Sequence, residues 1–159
     1  MVKHLDENTE AWPDHVGWRL WQASRAWQAA FVAAMRDAGH GWMTEARAAL
    51  LGHIGRRGTP QSALIDRMGI SKQAVQQLVD GLEGEEIISR VPDPDDRRAR
   101  IVVHTQKGRL ALRDADRIKR EIEQAYRARL GTDRFDALKS ALEALALPQD
   151  GKNPGDRGG

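Results

Sequence analysis

Ser71-Lys72-Gln73-Ala74-Val75-Gln76-Gln77-Leu78-Val79-Asp80-Gly81-Leu82-Glu83 has the pattern of a short helix with two opposed faces. Val75, Leu78, Val79 and Leu82 stand at i, i+3, i+4 and i+7, which makes one apolar stripe. Gln73, Gln76, Gln77 and Asp80 repeat that spacing on the other side. An amide-rich face can offer a donor and an acceptor together to adenine N6 and N7 in a major groove, which a row of lysines cannot do. Asp80 on the same face argues against a purely electrostatic grip. A solvated surface helix would share this pattern, so the flanking chain decides between the two readings.

Upstream, Thr59-Pro60 reads as an N-cap followed by Pro at the first helical position, and Gly69 as the left-handed residue that closes a helix over about Pro60 to Met68. Gly69 and Ile70 then form a tight turn, and Ser71 caps the second helix. That arrangement is a helix-turn-helix. Downstream come Ile87-Ile88-Ser89-Arg90-Val91, the turn-forming Pro92-Asp93-Pro94-Asp95-Asp96, and Arg97-Arg98-Ala99-Arg100 leading into Ile101-Val102-Val103. Two β-branched runs about a Pro/Asp-rich turn predict a hairpin. The expected fold is mainly α with a small β-hairpin wing, a winged helix-turn-helix lobe joined to a helical region.

Several motifs here resemble the MarR family of bacterial winged-helix transcriptional regulators. They are Leu78-Val79-Asp80-Gly81-Leu82-Glu83, Ile88-Ser89-Arg90, the run from Asp93 to Arg100 with Asp96-Arg97-Arg98 as its Asp-x-Arg core, and Thr105 followed three residues later by Gly108. The resemblance is close over roughly 44–113 and holds only in pattern outside it. Two positions depart. The turn before the first wing strand usually has Gly where this chain has Glu86, with Gly84 nearby as a candidate flexible residue, and the residue before Thr105 is usually Leu where this chain has His104.

The resemblance implies a homodimer that binds double-stranded DNA at a near-palindromic operator, more often a repressor released by a small molecule than an activator. Ser71, Lys72, Gln73, Gln76 and Gln77 would form the reading helix in the major groove. Arg98, supported by Asp96, would reach the minor groove, while Arg97 and Arg100 would hold phosphate. The family's effector cavity lies where the dimerisation helices meet the winged lobe. Trp18 and Trp21, with Arg25 one helical turn beyond, are the candidates for its wall, suited to a small aromatic or amphipathic effector whose carboxylate Arg25 could pair.

The flanking segments read as helices built for self-association. Between about Asp14 and Arg36 two apolar stripes can be drawn, through Leu20, Ala23, Trp27, Ala30 and Ala34 and through Trp18, Trp21, Ala29 and Val32. Thr44 is expected to cap a helix reaching about Arg57 that buries Ala46, Ala49, Leu50 and Ile54, with Gly58 as its stop. A long helix from Thr105 places Ala111, Ala115, Ile118, Ile122 and Ala125 at the alternating spacing of a coiled-coil seam. A last helix from near Thr132 repeats it with Phe135, Leu138, Leu142 and Leu145 and ends at Pro148. Ile118, Ile122, Phe135, Leu138, Leu142 and Leu145 are thus the candidate dimerisation residues. The expected organisation is a loose arm over 1–13, one domain over 14–147 with dimerisation helices at 14–43 and 105–147 around a DNA-binding lobe at 44–104, and a disordered tail over 148–159.

Composition narrows the classes. At 159 residues and 40% hydrophobic, the chain suffices for one domain with its own core. It has no Cys, which excludes disulfides, Cys-zinc sites and thiol-based sensing. With no signal-like segment or long apolar run, the reading is a cytoplasmic, nucleoid-associated protein without a membrane partner. Charge is unevenly placed: 97–120 holds nine basic residues against two acidic, and 59–96 three basic against eight acidic. The basic run on the outgoing wing strand and next helix could meet phosphates. No two of the five histidines lie at i, i+3 or i+4, and no phosphate-cradling Gly loop or Gly-x-Ser-x-Gly is present, so no metal, cofactor or enzymatic activity is expected. The acidic helix-turn-helix keeps one rival open, a winged-helix protein-interaction module without specific DNA binding.

Overall fold

The computed structural model describes residues 14–146, so the expected loose arm over 1–13, Trp12, the stop at Pro148 and the expected tail over 148–159 lie outside it. The described elements run α1 (Val16–Asp37), α2 (Glu45–Gly52), β1 (Thr59–Pro60), α3 (Gln61–Met68), α4 (Lys72–Gly84), β2 (Ile88–Pro92), β3 (Arg100–His104), α5 (Gln106–Leu130) and α6 (Thr132–Ala146). They divide into two compact units, one up to Ala115 and one from Asp116 onward. No described helix is long and apolar enough to cross a membrane.

The apolar stripe of α4 is the centre of the first unit. Val75, Val79 and Leu82 are fully buried with Leu64 of α3, Leu50 of α2, Met35 of α1 and Val102 of β3, while Leu78 on the same stripe is half-buried. Ser71 caps α4 as the sequence predicts, its hydroxyl accepting from Ala74 N at 3.1 Å, and Gly69 closes α3 at φ 62°. The wing is a three-stranded antiparallel sheet in the order β1-β3-β2, with Thr59 opposite Val102 and Arg90 also opposite Val102 from the other side.

Three local expectations fail, two of them for identifiable reasons. Thr59 does not cap α3. It lies in a short strand against β3, nearly buried, with its hydroxyl donating to His53 O (3.2 Å) and accepting from Gly55 N (3.0 Å). A buried hydroxyl must find partners, and these lie in the loop rather than at the helix start. Pro60 takes the cap position with no side-chain bond. The same loop bonds end α2 at Gly52 instead of near Arg57, since His53 O is taken by Thr59 and by Arg67 Nη1 (3.2 Å). Thr44 does cap α2, accepting from Arg47 N at 3.2 Å, but Ala46 and Ala49 are exposed, and Leu50, Leu51 and Ile54 carry the burial.

The end of α4 answers the question that Glu86 raises. Ile87 N bonds to Leu82 O (3.0 Å) and Glu86 N to Glu83 O (2.9 Å), the paired bonds of a Schellman cap. Its left-handed residue is Glu86 itself, at φ 60°, and Gly84 remains helical. A non-glycine residue there costs about 1–2 kcal/mol of backbone energy. The compensation is packing: the next residue, Ile87, is 1% exposed.

The Ile87 peptide also seats α5. Its carbonyl accepts from Thr105 N at 3.1 Å, the Thr105 hydroxyl donates to Glu86 O at 2.5 Å, and Gly108 N returns to the Thr105 hydroxyl at 3.0 Å. A Cβ on Gly108 would sit 2.0 Å from Ile87 O, so the Thr-x-x-Gly spacing is a steric requirement. The seam that follows in α5 is buried at Ala111, Ala115 and Ile118, half-buried at Ile122 and exposed at Ala125. In the second unit Phe135 is buried, with the Arg127 guanidinium 4.6 Å from its ring centroid and Arg127 paired to Asp136 at 2.9 Å. Because backbone cannot yield as a flexible side chain can, Gly108→Ala is expected to lower stability by about 3 kcal/mol or more. Urea unfolding would report this as a lower midpoint at unchanged slope.

Candidate nucleic-acid interface

The polar side of α4 is open where reading requires it. Lys72, Gln73 and Gln77 are exposed and, with Gln76, line a shallow hollow. Gln76 differs from its neighbours. Its Oε1 accepts from Gln61 Nε2 at 2.5 Å, and its Nε2 donates to Asp80 Oδ1 at 3.1 Å. Arg90, from β2, completes the circuit by donating from Nε to Gln61 Oε1 (3.1 Å) and from Nη2 to Asp80, while its Nη1 meets Glu83. Its backbone N adds a bond to Glu83 Oε1 at 3.0 Å. Four side chains from α3, α4 and β2 thus form a closed ring. Asp80, which looks in sequence like an uncompensated charge on the reading face, is paired. Arg90 stands out in sequence only within the Ile88-Ser89-Arg90 motif, and nothing local marks Gln61.

At the wing tip, Asp93 Oδ1 accepts from Asp95 N (2.8 Å) and Asp96 Oδ1 from Arg98 N (3.0 Å), so both aspartates shape the turn through backbone donors. Asp96 therefore supports Arg98 through its backbone and leaves the guanidinium free. Arg97, Arg98 and Arg100 are exposed and take part in no ion pair among the described residues. The rest of the basic run is partly engaged: Arg109 donates to His104 O (2.9 Å), Lys107 lies 4.0 Å from Glu86, and Arg117 pairs with Glu121 at 2.8 Å. The three wing arginines thus keep their guanidinium groups available to a ligand.

The remaining candidates fall in two places. Trp18 and Trp21 stack at 4.8 Å between centroids, with the Arg25 guanidinium 5.2 Å over Trp21, all on the exposed first half of α1. Of the dimerisation set, Ile118 and Phe135 are buried within the single chain, Ile122 is half-buried, and Leu138, Leu142 and Leu145 are exposed. No cluster of three metal-ligating side chains occurs among the described residues.

His104 sits where the wing returns to α5. Its Nδ1 is buried without a hydrogen-bond partner. Burial pushes the imidazole below its ordinary pKa and the Arg109 charge adds to this, against an opposing hydrogen bond with the Ile54 backbone.

A model of the MarR family matches residues 43–99, the stretch holding α2, both helices of the helix-turn-helix, and the first wing strand and turn. Solved structures of the same fold include a probable transcriptional regulator from Pseudomonas aeruginosa, 28% identical over 83% of this chain and 97% of that one, with a TM-score of 0.66. The transcriptional repressor CouR, bound to a 23-mer DNA duplex, is 25% identical over 84% of this chain and 93% of its own, at a TM-score of 0.65. A MarR-family regulator from Rhodococcus sp. RHA1 reaches a TM-score of 0.70 at 22% identity, over 88% and 98%. No curated protein matches the sequence.

Since its folded pKa is depressed, His104 is held neutral in the fold and takes up its proton more readily in the unfolded chain. Its contribution to stability is complete above the unfolded value of about 6.5 and declines as pH falls from there toward the folded value. His104→Leu is expected to flatten this acid limb, since the side chain that takes up the proton is gone. Thermal melts of both proteins across that window are the check, and an unchanged acid limb in the variant would exonerate His104.

Proposed function

We propose that this chain, which belongs to the MarR family of DNA-binding winged-helix transcriptional regulators, is a homodimeric repressor released from a near-palindromic operator by a small molecule. One observation carries the reading: the exposed amide face of α4 and three exposed, unpaired arginines of the wing belong to one compact unit. Lys72, Gln73, Gln76 and Gln77, behind the cap at Ser71, then meet base edges in the major groove. Arg98, its backbone held by Asp96, enters the minor groove, and Arg97 and Arg100 hold phosphate. The likeness to CouR, a repressor bound to duplex DNA, supports that assignment. The rival, a protein-interaction module, drew on the acidic balance of the helix-turn-helix. It loses support because Arg90 engages two of those carboxylates, Asp80 and Glu83.

Dimerisation is supported by apolar side chains the single chain leaves in water: Leu138, Leu142 and Leu145 on α6, and Val16, Trp18, Leu20 and Trp21 on α1. A two-fold dimer would present two reading helices to two half-sites. The stacked indoles with Arg25 offer an aromatic face beside a cation, which suits an aromatic carboxylate.

Phosphate contacts set salt dependence and base contacts set discrimination. Arg100→Ala is therefore expected to weaken all duplexes alike and to lower the salt slope by about one. Gln77→Ala should cost about 1–3 kcal/mol mainly on the operator. Gel shifts against operator and random duplex separate the two effects, and an unchanged operator-to-random ratio in Gln77→Ala would remove that residue from the reading face. Leu138→Asp with Leu142→Asp should leave the monomer folded, since both side chains are exposed there, and dissociate the dimer. Sedimentation of the wild type as a monomer at micromolar concentration would refute the assembly. A releasing ligand at the indole pair should quench Trp emission over the concentrations that free operator DNA, with both effects weakened in Trp21→Leu. Release without quenching would place the effector elsewhere.

A further inference from the structure

We infer that Gln61, on α3 and outside the reading helix, is a specificity-determining positioning residue, because it fixes which way the Gln76 amide points. The inference rests on the DNA-reading role proposed for α4. Its argument is the polarity of the ring. Arg90 can only donate hydrogen bonds and the Asp80 carboxylate can only accept them. With Arg90 Nε bound at 3.1 Å, the atom of Gln61 facing it must be Oε1, which turns Nε2 toward Gln76. The Gln76 atom receiving that bond at 2.5 Å must be Oε1, and its Nε2 must then face Asp80, where it donates at 3.1 Å. Neither amide is free to flip, since a flip of either would set like groups against each other at two contacts.

The consequence concerns what α4 can read. Each atom of the Gln76 amide has one hydrogen-bonding position engaged in the ring and one remaining: a lone pair on Oε1 and an N–H on Nε2. Adenine offers N6–H and N7 in the major groove in an order that reverses when A·T becomes T·A. An amide free to rotate would match either order. One locked by Gln61 matches one of them, so the pair distinguishes on which strand the adenine lies. Gln73 and Gln77, exposed and outside the ring, carry no such lock.

Gln61→Glu tests this directly. The carboxylate still accepts from Arg90 but has no proton for Gln76 Oε1, so the lock is lost while the fold keeps its salt bridges. Selection from a pool of duplexes with randomised half-sites, followed by sequencing, should show the A·T against T·A preference at one position per half-site falling about tenfold, with the other positions retained. Asp80→Asn is the matched control. It keeps an oxygen acceptor for Gln76 and for Arg90 Nη2 and leaves the Arg90 bonds to Gln61 and Glu83 in place, so it should keep the preference while binding all duplexes somewhat more tightly through loss of a negative charge. An unchanged preference in Gln61→Glu, or its equal loss in Asp80→Asn, would overturn the inference. Failure of the wild type to select any sequence would instead overturn the DNA-reading role itself.

Discussion

The Ile87 peptide is where the winged lobe is joined. Its N–H closes α4 on Leu82 O, its side chain is buried, and its carbonyl receives Thr105 as α5 begins. Three directions of chain are therefore set by one residue: the end of α4, the start of β2 and the return from β3. This explains why unusual residue demands cluster around it. Glu86 must be left-handed for the N–H to reach Leu82 O, and Gly108 must lack a Cβ for α5 to approach the carbonyl. A backbone group with both partners inside the fold tolerates little displacement. The start of α5 thus shares a joint with the end of α4.

Features governed by periodicity and capping could be read from the sequence. The stripe Val75-Leu78-Val79-Leu82, the caps at Thr44 and Ser71 and the left-handed Gly69 are local patterns with local causes, and they recur in the structure. What could not be read depended on partners distant in sequence. Thr59 resembles a helix cap until β3 and the His53 carbonyl compete for it. Glu86 breaks a local rule that Gly84 could have met nearby, and only burial of Ile87 explains why the strain is tolerated. The apolar faces of α1 and α6 are legible as stripes, but a stripe does not say whether its own chain covers it. Phe135 is covered by its own chain, and Leu145 is not.

The same division applies to the candidate interface. Residue type and spacing point to Gln73, Gln76 and Gln77 as equivalent readers. Tertiary contacts make them unequal, because Gln76 lies within reach of Gln61 and Asp80 while the other two face solvent. Likewise the basic run after the wing is continuous in sequence, yet Lys107, Arg117 and Lys119 lie within ion-pairing distance of carboxylates and Arg97, Arg98 and Arg100 do not. Net charge over a window is a poor guide to charge available to a ligand. What matters is which cations lack an internal anion.

The three-stranded wing also has consequences for crowding. Its outer strands are β1 and β2, and each ends in a proline, Pro60 and Pro92. A proline has no N–H to offer a further strand, so neither margin of the sheet is a continuous template for strand addition. Wherever copies of such a wing come close together, their sheet margins meet at high local concentration. Closing both margins with proline protects such neighbours against edge-to-edge aggregation.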